Sequence, residues 1–399
     1  MKVVGVGIVG MGGRGRGFLR SYRQESFAGF DVRAVCDRDE ERLTACGKMY
    51  GGDFARYADL NEMLAREEVE LVIVATNDPD HVEPVITALR AGKHVLVEKP
   101  LCQNVADAVR IVEAARKAPG IFMMGFELRC VPVFRQMKAF IDQGKIGTVK
   151  VAHVFDNVGR GGCFFHNPHR QKQFYKSLLL QKASHSLDLL NWFVGSRPSR
   201  VYGVGGLDYF GGGTGEPTED LHCAECEKGK RCPFFSAKGG KTNEYGEVVQ
   251  AKDYCVWDRH NDLCDNSELC ITYANGVKAT FHELYFTPEY SREFWLVGTE
   301  GKMYGYFDNP GRFQIRITRQ LAAAEREHSL RQVEEYWPKA MPGGHGGGDP
   351  ALRAEVYRRI VENDPARDVL ESAYYSTALA VCAEESIESG LPVDVPPLQ

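Results

Sequence analysis

Short apolar runs alternate with polar, helix-forming stretches through the first third of the chain. Six segments are predicted as strands, most of them rich in branched apolar side chains; they cover residues 3–9, 30–36, 55–57, 71–75, 94–97 and 121–125. Continuous apolar runs of this length are typical of parallel strands that are buried on both faces. Helices are predicted between them, at residues 39–50, 60–66, 81–90 and 104–117, and another begins near residue 18. The alternation predicts an α/β domain over residues 1–125, built on a doubly wound parallel sheet.

The pattern changes after residue 125, where strands follow one another with few helices between them. Strands are predicted at residues 149–155, 200–205, 269–273, 277–282, 294–297 and 313–317, and helices at 132–143, 184–193, 351–363 and 369–389. This succession predicts an α+β domain over residues 126–399, with a largely antiparallel sheet and helices on one face. Residues 206–262 form an irregular insertion rich in Gly and Cys, and residues 338–350 form a glycine-rich loop.

Composition narrows the classes of partner and compartment. The 399 residues carry a formal net charge of −5, with charged residues spread along the chain, so neither nucleic acid nor an anionic membrane is expected as a partner. No apolar run is long enough to span a membrane. Met1-Lys2 leads directly into the first predicted strand, which is not the pattern of a signal peptide, so a cytoplasmic location is expected. In a reducing compartment, the twelve cysteines are expected to be thiols or metal ligands rather than disulfides.

A glycine-rich turn joins the first predicted strand to the first predicted helix, and an acidic residue ends the second strand. In Gly10-Met-Gly-Gly-Arg-Gly15, the first glycine permits a tight turn, the second lets the backbone approach a pyrophosphate, and the third lets helix and strand pack closely. Asp37 suits a ribose diol and repels a 2′-phosphate, which favours NAD over NADP. Arg38 leaves the choice open, because it can stack on adenine or pair with that phosphate. The predicted cofactor-binding residues are Gly10, Gly12, Gly13, Arg14, Gly15, Asp37, Arg38, Thr76, Asn77, His81, Glu98 and Lys99.

Lys99 follows a predicted strand at the carboxyl edge of the sheet, and Pro100 fixes the turn after it. A lysine at this edge can reach a substrate hydroxyl beside the nicotinamide. If it is partly buried or close to another cation, its pKa falls and it can act as a base. The alternative is an ordinary surface lysine in a turn.

Five short motifs occur in order along nearly the whole chain. They are the glycine-rich start, Glu98-Lys99-Pro100, Phe126-Glu-Leu-Arg129 with Pro132 and Phe134, Gly144-Lys-Ile-Gly147, and His185-Ser-Leu-Asp188. This combination resembles the glucose–fructose oxidoreductase, inositol dehydrogenase and MocA-like (Gfo/Idh/MocA) oxidoreductases. The resemblance implies a Rossmann domain, an α/β substrate domain, NAD(P), and hydride transfer at a carbohydrate or cyclitol carbon. It also implies that Lys99 and His185 line the reaction centre, and that a homodimer or homotetramer forms through the open face of the second sheet.

The sequence departs from the family at one position. Many members have an Asp four residues before the histidine, where it assists proton transfer, and this chain has Gln181, which cannot act as a base. Lys182 lies three residues before His185, so the two share a face if a helical turn begins there. Like-charge repulsion among Lys99, Lys182 and His185 can hold one lysine neutral, and these three are the predicted catalytic residues. Asp188 is expected to orient His185 or a backbone group.

Residues 166–176, here called the basic loop, precede the helix of His185. They carry five cationic or ionisable side chains, those of His166, His169, Arg170, Lys172 and Lys176. They either hold an anionic substituent of a sugar or form a solvated surface loop. His345, in the glycine-rich loop, can also reach the site. The predicted substrate-binding residues are Arg129, His166, His169, Arg170, Lys172, Gln181, Asp188 and His345.

Four cysteines in the insertion resemble the ligands of a structural zinc site. Cys223 and Cys226 have the C-x2-C spacing of a metal-binding turn, and Cys232 and Cys255 complete a four-thiolate set, with His222 and Cys264 as further candidates. Free thiols and disulfides are the alternatives.

Three functions are compatible with these residues. The first is an NAD-dependent dehydrogenase of a sugar, cyclitol or sugar acid. The second is an NAD-dependent glycosidase that oxidises a ring hydroxyl, usually at C3, eliminates the aglycone, adds water and returns the hydride. The third, favoured only by Gln181, is a catalytically silent sensor. Net formation of NADH separates the first from the second.

Overall fold

The structure is a computed structural model that describes residues 2–24, 29–51, 53–159, 161–167, 170–213, 215–236, 253–308, 311–321 and 331–399. Two β-sheets organise the described chain, one of six strands and one of nine. The cavity described below lies where the two sheets meet.

The first sheet is parallel throughout, with the strand order β3-β2-β1-β4-β5-β6. Its strands are β1 (Val4–Val9), β2 (Phe30–Cys36), β3 (Ala55–Tyr57), β4 (Leu71–Val74), β5 (His94–Val97) and β6 (Phe122–Met124). The helices between them are α1 (Gly13–Gln24), α2 (Glu40–Tyr50), α3 (Leu60–Leu64), α4 (Val82–Arg90) and α5 (Val105–Lys117). Asp59 caps α3 by accepting the backbone N–H groups of Asn61 and Glu62. The predicted doubly wound sheet is therefore confirmed.

The second sheet has the order β14-β13-β12-β11-β7-β10-β9-β8-β15, and every pair is antiparallel except β7 with β10. Its strands are β7 (Val149–Asn157), β8 (Pro198–Gly206), β9 (Asn266–Tyr273), β10 (Lys278–Leu284), β11 (Ser291–Gly298), β12 (Gly301–Asp308), β13 (Phe313–Gln320), β14 (Arg331–Tyr336) and β15 (Val393–Asp394). The largely antiparallel sheet is confirmed, but the sequence reading missed β12, β14 and β15. Residues alternate between buried and exposed along β9, so one face of this sheet is open.

The remaining helices pack on the covered face or join the two sheets. They are α6 (Pro132–Asp142), α7 (Gly162–Phe165), α8 (Leu178–Gln181), α9 (Ser184–Val194), α10 (Gly344–Glu362) and α11 (Arg367–Ser389). The predicted start of α10 at residue 351 is wrong, because helical turns begin at Gly344 and continue past a kink at residues 345–347. None of the helices in the described ranges combines the length and apolar character that a membrane crossing requires.

The C-terminal helices return to the first sheet. Arg353 of α10 donates to the carbonyl oxygen of Ser21 in α1 at 2.7 Å, and the hydroxyl of Tyr357 donates to the carbonyl oxygen of Lys2. One contiguous core includes buried side chains from both sheets and from α11. The predicted domain limits, 1–125 and 126–399, stay a prediction.

The insertion of residues 206–262 connects two strands that are direct neighbours. Gly206 at the end of β8 pairs with Asn266 at the start of β9. Phe210 and Val256 of the insertion belong to a small core, separate from the main one, that they share with Phe165, Leu178 and Tyr285 of neighbouring segments. The insertion is therefore an excursion from a β-hairpin.

Candidate active site

A cavity of about 310 Å³ opens beside the carboxyl ends of β4 and β5, facing the second sheet. This is the edge at which open α/β sheets bind their ligands, and the volume lies within the range of small-molecule sites. Its lining residues are Arg14, Ala75, Thr76, Asp78, His81, Glu98, Lys99, Glu127, Leu128, Gln181, Lys182, His185, Tyr290, Arg292 and His345.

The glycine-rich turn has the shape that a dinucleotide requires. Gly10 has a φ of +87°, and a Cβ there would lie 2.7 Å from the carbonyl oxygen of Ala75. A Cβ on Gly15 would lie 1.8 Å from the carbonyl oxygen of Gly10, so only glycine allows α1 to pack this closely on β1. At Gly12 and Gly13 a Cβ would meet nothing within 4 Å, which leaves the N-terminus of α1 accessible. These residues fit a pyrophosphate.

Asp37 lies beside this turn and is buried. One carboxylate oxygen accepts the backbone N–H of Met11 at 2.6 Å, and the other accepts that of Asp39 at 2.9 Å. These bonds fix the carboxylate at the end of β2, where the sequence places the ribose. Arg38 is exposed and donates to Asp80 at 3.1 Å.

Three further predicted cofactor residues follow β4. Thr76 lines the cavity and donates its hydroxyl to the carbonyl oxygen of Asp80 at 3.0 Å, whereas Asn77 is exposed and does not line it. The ring of His81 is buried, with Nδ1 2.7 Å from the carbonyl oxygen of Pro100 and Nε2 3.2 Å from that of Thr76. His81 therefore ties the ends of β4 and β5 together.

Arg14 connects the glycine-rich turn to the C-terminal helices. Its guanidinium donates to Glu98 at 2.7 Å and to Asp349 in α10 at 3.1 Å. Burial opposes the charged form, but Glu98, Glu127 and Asp349 outweigh it and raise the pKa of Arg14. This pairing brings α10 against the cavity.

Lys99 follows β5 and is half-buried in the cavity wall. Its ammonium donates to the carbonyl oxygen of Gln181 at 2.6 Å. Burial lowers the pKa of Lys99, and the nearby Lys182 lowers it further, against the opposing effects of Asp78 and Glu98. The cationic neighbour that the sequence reading invoked is therefore present.

His185, in the first turn of α9, lies next to a carboxyl group that the sequence reading did not identify. Its Nε2 is 3.3 Å from Oε1 of Glu127, which follows β6. Burial holds the pKa of His185 well below its usual value, and Lys99 and Arg292 act in the same direction. Burial raises the pKa of Glu127 to about 7, against the opposing effect of His345. A neutral imidazole thus faces a carboxyl group that titrates near neutral pH.

The opposite wall of the cavity is a buried ionic cluster. Arg292 donates to the hydroxyl of Tyr290 at 2.6 Å and lies 3.3 Å from Asp156. The ammonium of Lys182 donates to the same hydroxyl at 3.3 Å and lies 3.9 Å from Asp156. Burial opposes ionisation of Tyr290, but Arg292 and Lys182 outweigh it and lower its pKa.

The expected helical turn at Lys182 is wrong in detail. Helix α8 ends at Gln181 and α9 begins at Ser184, so Lys182 lies between two helices rather than on the face of one. It nevertheless lines the cavity with His185. The side-chain oxygen of Gln181 is buried and lacks a hydrogen-bond partner within the described part of the chain.

Arg129 and Asp188 were predicted to bind substrate, and the structure pairs them with each other outside the cavity lining. Two guanidinium nitrogens of Arg129 donate to the two oxygens of Asp188, each at 2.7 Å, and Asp188 is buried. The expected role of Asp188 in orienting His185 is therefore wrong, because its oxygens serve Arg129.

The described residues of the basic loop do not line the cavity either. The guanidinium of Arg170 lies 3.9 Å from the centre of the Tyr254 ring and 3.4 Å from Asp258, both in the insertion. Lys172 pairs with Glu384 and Glu388 of α11, at 2.8 and 3.0 Å. Nδ1 of His166 is 2.5 Å from the carbonyl oxygen of Tyr254. Arg170 and His166 therefore contact the insertion, and Lys172 contacts α11. His169 lies outside the described residues.

The four predicted zinc ligands line one separate cavity of about 160 Å³. Cys223, Cys226, Cys232 and Cys255 all contribute to its wall, together with His166. Burial raises the pKa of the Cys223 thiol, and the neighbouring Cys255 and Cys232 raise it further. Among the described residues, no three of these sulfurs lie within 4.8 Å of one another. His222 instead pairs with Asp253 at 2.8 Å.

The sequence reading missed six of the cavity residues: Ala75, Asp78, Glu127, Leu128, Tyr290 and Arg292. Tyr290 precedes β11 and Arg292 lies at its start, far along the chain, and no local pattern connects them with Lys99. Glu127 did leave a signal, because it is a single acid between the apolar residues Phe126 and Leu128, directly after a strand at the ligand-binding edge.

Comparison with known sequences and structures identifies the family. Residues 4–126 match the oxidoreductase family with an NAD-binding Rossmann fold, and residues 134–304 match the GFO/IDH/MocA C-terminal domain. YteT of Bacillus subtilis (strain 168) is 26% identical over 411 residues, which is 94% of this chain and 94% of that protein. Inositol 2-dehydrogenase 3 of Saccharopolyspora erythraea is 32% identical over 194 residues, but the match covers 48% of this chain and 54% of that relative.

A solved structure of levoglucosan dehydrogenase, in complex with NADH and levoglucosan, has the same fold. The TM-score is 0.72 at 18% sequence identity, and the match covers 99% of this chain and 100% of that one. The chain belongs to the Gfo/Idh/MocA family of oxidoreductases, whose N-terminal domain is an NAD-binding Rossmann fold.

Proposed function

We propose that this protein is an NAD-dependent oxidoreductase that transfers a hydride between nicotinamide and a ring carbon of a neutral sugar or cyclitol. One observation carries the proposal: Lys99, His185 and Glu127, whose pKa values are all displaced, line one cavity beside the glycine-rich turn. Displaced pKa values in a cleft are typical of acid–base sites. Two relatives named for an inositol and for levoglucosan support a polyhydroxylated ring as substrate.

Bound NAD would supply the hydride acceptor. Gly10, Gly12, Gly13 and Gly15 would hold its pyrophosphate, and Asp37 would accept hydrogen bonds from its ribose. Lys99 would hydrogen-bond to the hydroxyl group being oxidised. His185, which burial keeps neutral, would accept the proton of that hydroxyl. Lys182, Arg292 and Tyr290 would orient the other hydroxyls of the ring.

The charge balance of the cavity favours a neutral substrate. Arg14 pairs with Glu98, and both Lys182 and Arg292 lie near Asp156. Arg170 and Lys172 of the basic loop, which was the argument for an anionic substituent, pair with carboxylates elsewhere. A carboxylate or phosphate on the substrate would compete with Glu98 for Arg14, and with Asp156 for Lys182 and Arg292.

The test combines purified protein with NAD and a panel of free sugars, cyclitols, acidic sugars and aryl glycosides. NADH absorbance and aglycone release are followed in the same wells. We expect NADH to accumulate with a neutral sugar or cyclitol. Lys99→Met serves as the matched inactive control.

The same experiment decides against the alternative, an NAD-dependent glycosidase. Release of the aglycone that requires NAD but yields no net NADH would contradict the dehydrogenase and establish the glycosidase. Tight NAD binding without hydride exchange on any compound of the panel would instead support a sensor.

We further propose that the four cysteines of the insertion bind one structural zinc ion. The support is the C-x2-C spacing and the shared cavity of all four thiols. Metal binding would draw the sulfurs together and stabilise a segment with little regular structure. We expect one zinc per chain by elemental analysis and its loss in Cys226→Ser, with Cys270→Ser on the exposed face of β9 as control. Metal-free protein with four thiols that all react rapidly would contradict this.

A homodimer or homotetramer is proposed through the open face of the second sheet. Tyr202 and Val204 of β8 and Val297 of β11 are exposed on this sheet. Light scattering coupled to gel filtration would measure the mass, and a monomer would contradict the proposal.

A further inference from the structure

Three ionisable side chains form a line from the buried part of the cavity to its surface. His185 and Glu127 are almost fully buried, with side-chain exposures of 7% and 2%. Oε1 of Glu127 lies 3.3 Å from Nε2 of His185 and 3.4 Å from Nε2 of His345. The side chain of His345 is 42% exposed. The line therefore has a buried end, a shared carboxyl oxygen and a solvent-facing end.

The backbone of α10 is distorted where it places His345 in this line. His345 has φ +53° and ψ +39°, a left-handed conformation that is unfavourable for a residue with a side chain. The neighbouring Gly346 and Gly347 are also left-handed, and a Cβ on Gly348 would lie 2.5 Å from the carbonyl oxygen of Glu127. A strained residue held against a buried carboxyl group is an observation that points to function.

His345 is also fixed in orientation. Its Nδ1 lies 3.0 Å from Oδ2 of Asp349, one turn later in α10. Burial opposes its charged form, but Asp349 and Glu127 outweigh this and raise the pKa of His345. Its Nε2 is thereby aimed at Glu127 rather than at solvent.

The protonated form of His185 is unfavourable in the cavity. Burial and the cations Lys99 and Arg292 disfavour the imidazolium, so a proton taken from the substrate needs a second acceptor. Gln181, four residues earlier, has no basic group. Glu127 is the carboxyl group nearest to Nε2 among the described cavity residues, and its second oxygen is buried without a hydrogen-bond partner there.

We infer that His185, Glu127 and His345 form a proton relay that carries the hydroxyl proton of the substrate out of the cavity to water. This inference rests on the proposed function. As the hydride leaves the carbon and the carbonyl forms, the O–H bond of the substrate breaks and its proton passes to the imidazole of His185. Counted over the whole imidazole, His185 gains this proton at Nδ1, which has no partner among the described residues, and gives up the proton on Nε2 to Oε1 of Glu127. His345 in turn releases its Nδ1 proton to water beside Asp349 and accepts the proton of Glu127 at Nε2. One hydride goes to the dinucleotide and one proton to water.

The relay requires Glu127 to be ionised before it accepts a proton. The charged and titratable groups around Glu127 come from four parts of the chain; they are Arg14 in the glycine-rich turn, Glu98 and Lys99 after β5, His185 in α9, and His345 and Asp349 in α10. With a pKa of about 7 for Glu127, the oxidation rate rises as the pH increases through about 7 and is level above it.

The first test is kinetic and uses the full chain with the substrate found in the panel above. We expect Glu127→Gln to lower kcat by about 10- to 100-fold and to abolish the rise near pH 7, since second residues of a proton pathway contribute at this scale. KM and NADH affinity should stay within about twofold, and Glu127→Asp should recover part of the rate. Glu83→Gln, an exposed surface carboxylate, is the matched control.

Chemical rescue tests the solvent end. His345→Ala should lose activity and regain it when imidazole is added to the buffer, because the missing ring lies at an exposed position. Unchanged pH dependence in Glu127→Gln, or no rescue of a folded His345→Ala, would overturn the relay. Loss of activity on adding a chelator to the Cys226→Ser variant, which lacks the proposed zinc of the insertion, would also overturn it, in favour of a metal ion held by Glu127, His345 and Asp349.

The last test needs no turnover. In ¹³C-histidine-labelled protein, the NMR titration of His345 should shift to lower pH in Glu127→Gln, because the carboxylate that favours the imidazolium is gone. If the titration of His345 shifts in Glu127→Gln but the wild-type protein oxidises no sugar, the proposed function is contradicted. The electrostatic coupling between His345 and Glu127 would still stand. An unchanged titration would contradict the relay whatever the activity.

Discussion

The active-site cavity and the basic loop contain similar side chains in opposite environments. Burial lowers the pKa of Lys99, and the nearby Lys182 lowers it further. Lys172 lies between Glu384 and Glu388, which outweigh burial and raise its pKa. The cavity therefore shifts its lysine toward the neutral, reactive form, whereas the loop fixes its lysine as a permanent cation. A cluster of basic residues in a sequence does not distinguish the two, because the distinction depends on which charges the fold brings alongside.

The largest expected effect is the loss of Lys99. We expect Lys99→Met to lower kcat/KM for NAD-dependent oxidation by about 10²- to 10⁴-fold, since it removes a group that contacts the reacting hydroxyl. Steady-state NADH formation measures this, with NADH binding as the check on folding. Lys172→Met is the matched control and should stay within about threefold of wild type per folded molecule. Equal losses in the two variants would remove the contrast between cavity and loop.

Arg170 should matter for stability rather than for catalysis. Arg170→Ala removes the cation beside Asp258, which is fully buried, so we expect the free energy of unfolding to fall by about 2–3 kcal/mol. Urea unfolding followed by tryptophan fluorescence measures this. Arg259→Ala breaks the exposed pair with Glu219 and should cost less than about 1 kcal/mol.

The activity of Arg170→Ala at low temperature sharpens the same contrast. It should equal that of the wild type for the fraction that is folded. A stable variant with a raised KM would mean that the basic loop contacts substrate after all.

The smallest effect concerns the choice of cofactor. We expect Asp37→Asn to weaken NADH binding by about tenfold, or about 1.4 kcal/mol, and to weaken NADPH binding less, because the carboxylate no longer repels a 2′-phosphate. Fluorescence titration with both dinucleotides measures this. Tighter binding of NADPH than of NADH by the wild-type protein would show that Arg38, rather than Asp37, governs the choice.

The first sheet was predictable because buried parallel strands appear as continuous apolar runs, and because glycine-rich turns have steric requirements that other residues cannot meet. The second sheet was harder. Strand β12, Gly301–Asp308, alternates small, aromatic and charged residues, and β14 is mostly exposed, so neither gives a clear periodic signal. The register of the second sheet depends on pairing between strands that lie far apart in the sequence.

Cavity residues were predictable only where a short sequence motif contains the reactive side chain. Lys99 and His185 stand in short motifs at element ends, and both line the cavity. Asp188 stands in the motif of His185 and Arg129 in another of the five motifs, yet these two side chains pair with each other outside the cavity lining. Glu127 was overlooked because the value of a carboxyl group to an acid–base site comes from burial and neighbours, and neither property is local to its sequence.

The β8–β9 connection lets the insertion vary in length. Since Gly206 and Asn266 already face each other across a paired ladder, the hairpin can close with a short turn, and a longer segment there costs mainly loop-closure entropy, which grows slowly with length. Chains that share this sheet can therefore differ in the size of this segment without altering the register of β8 and β9. The contacts of the insertion set a separate condition, because Arg170 and a small core shared with Leu178 join it to the segments before α9, and a protein engineer who shortens it would have to replace those contacts.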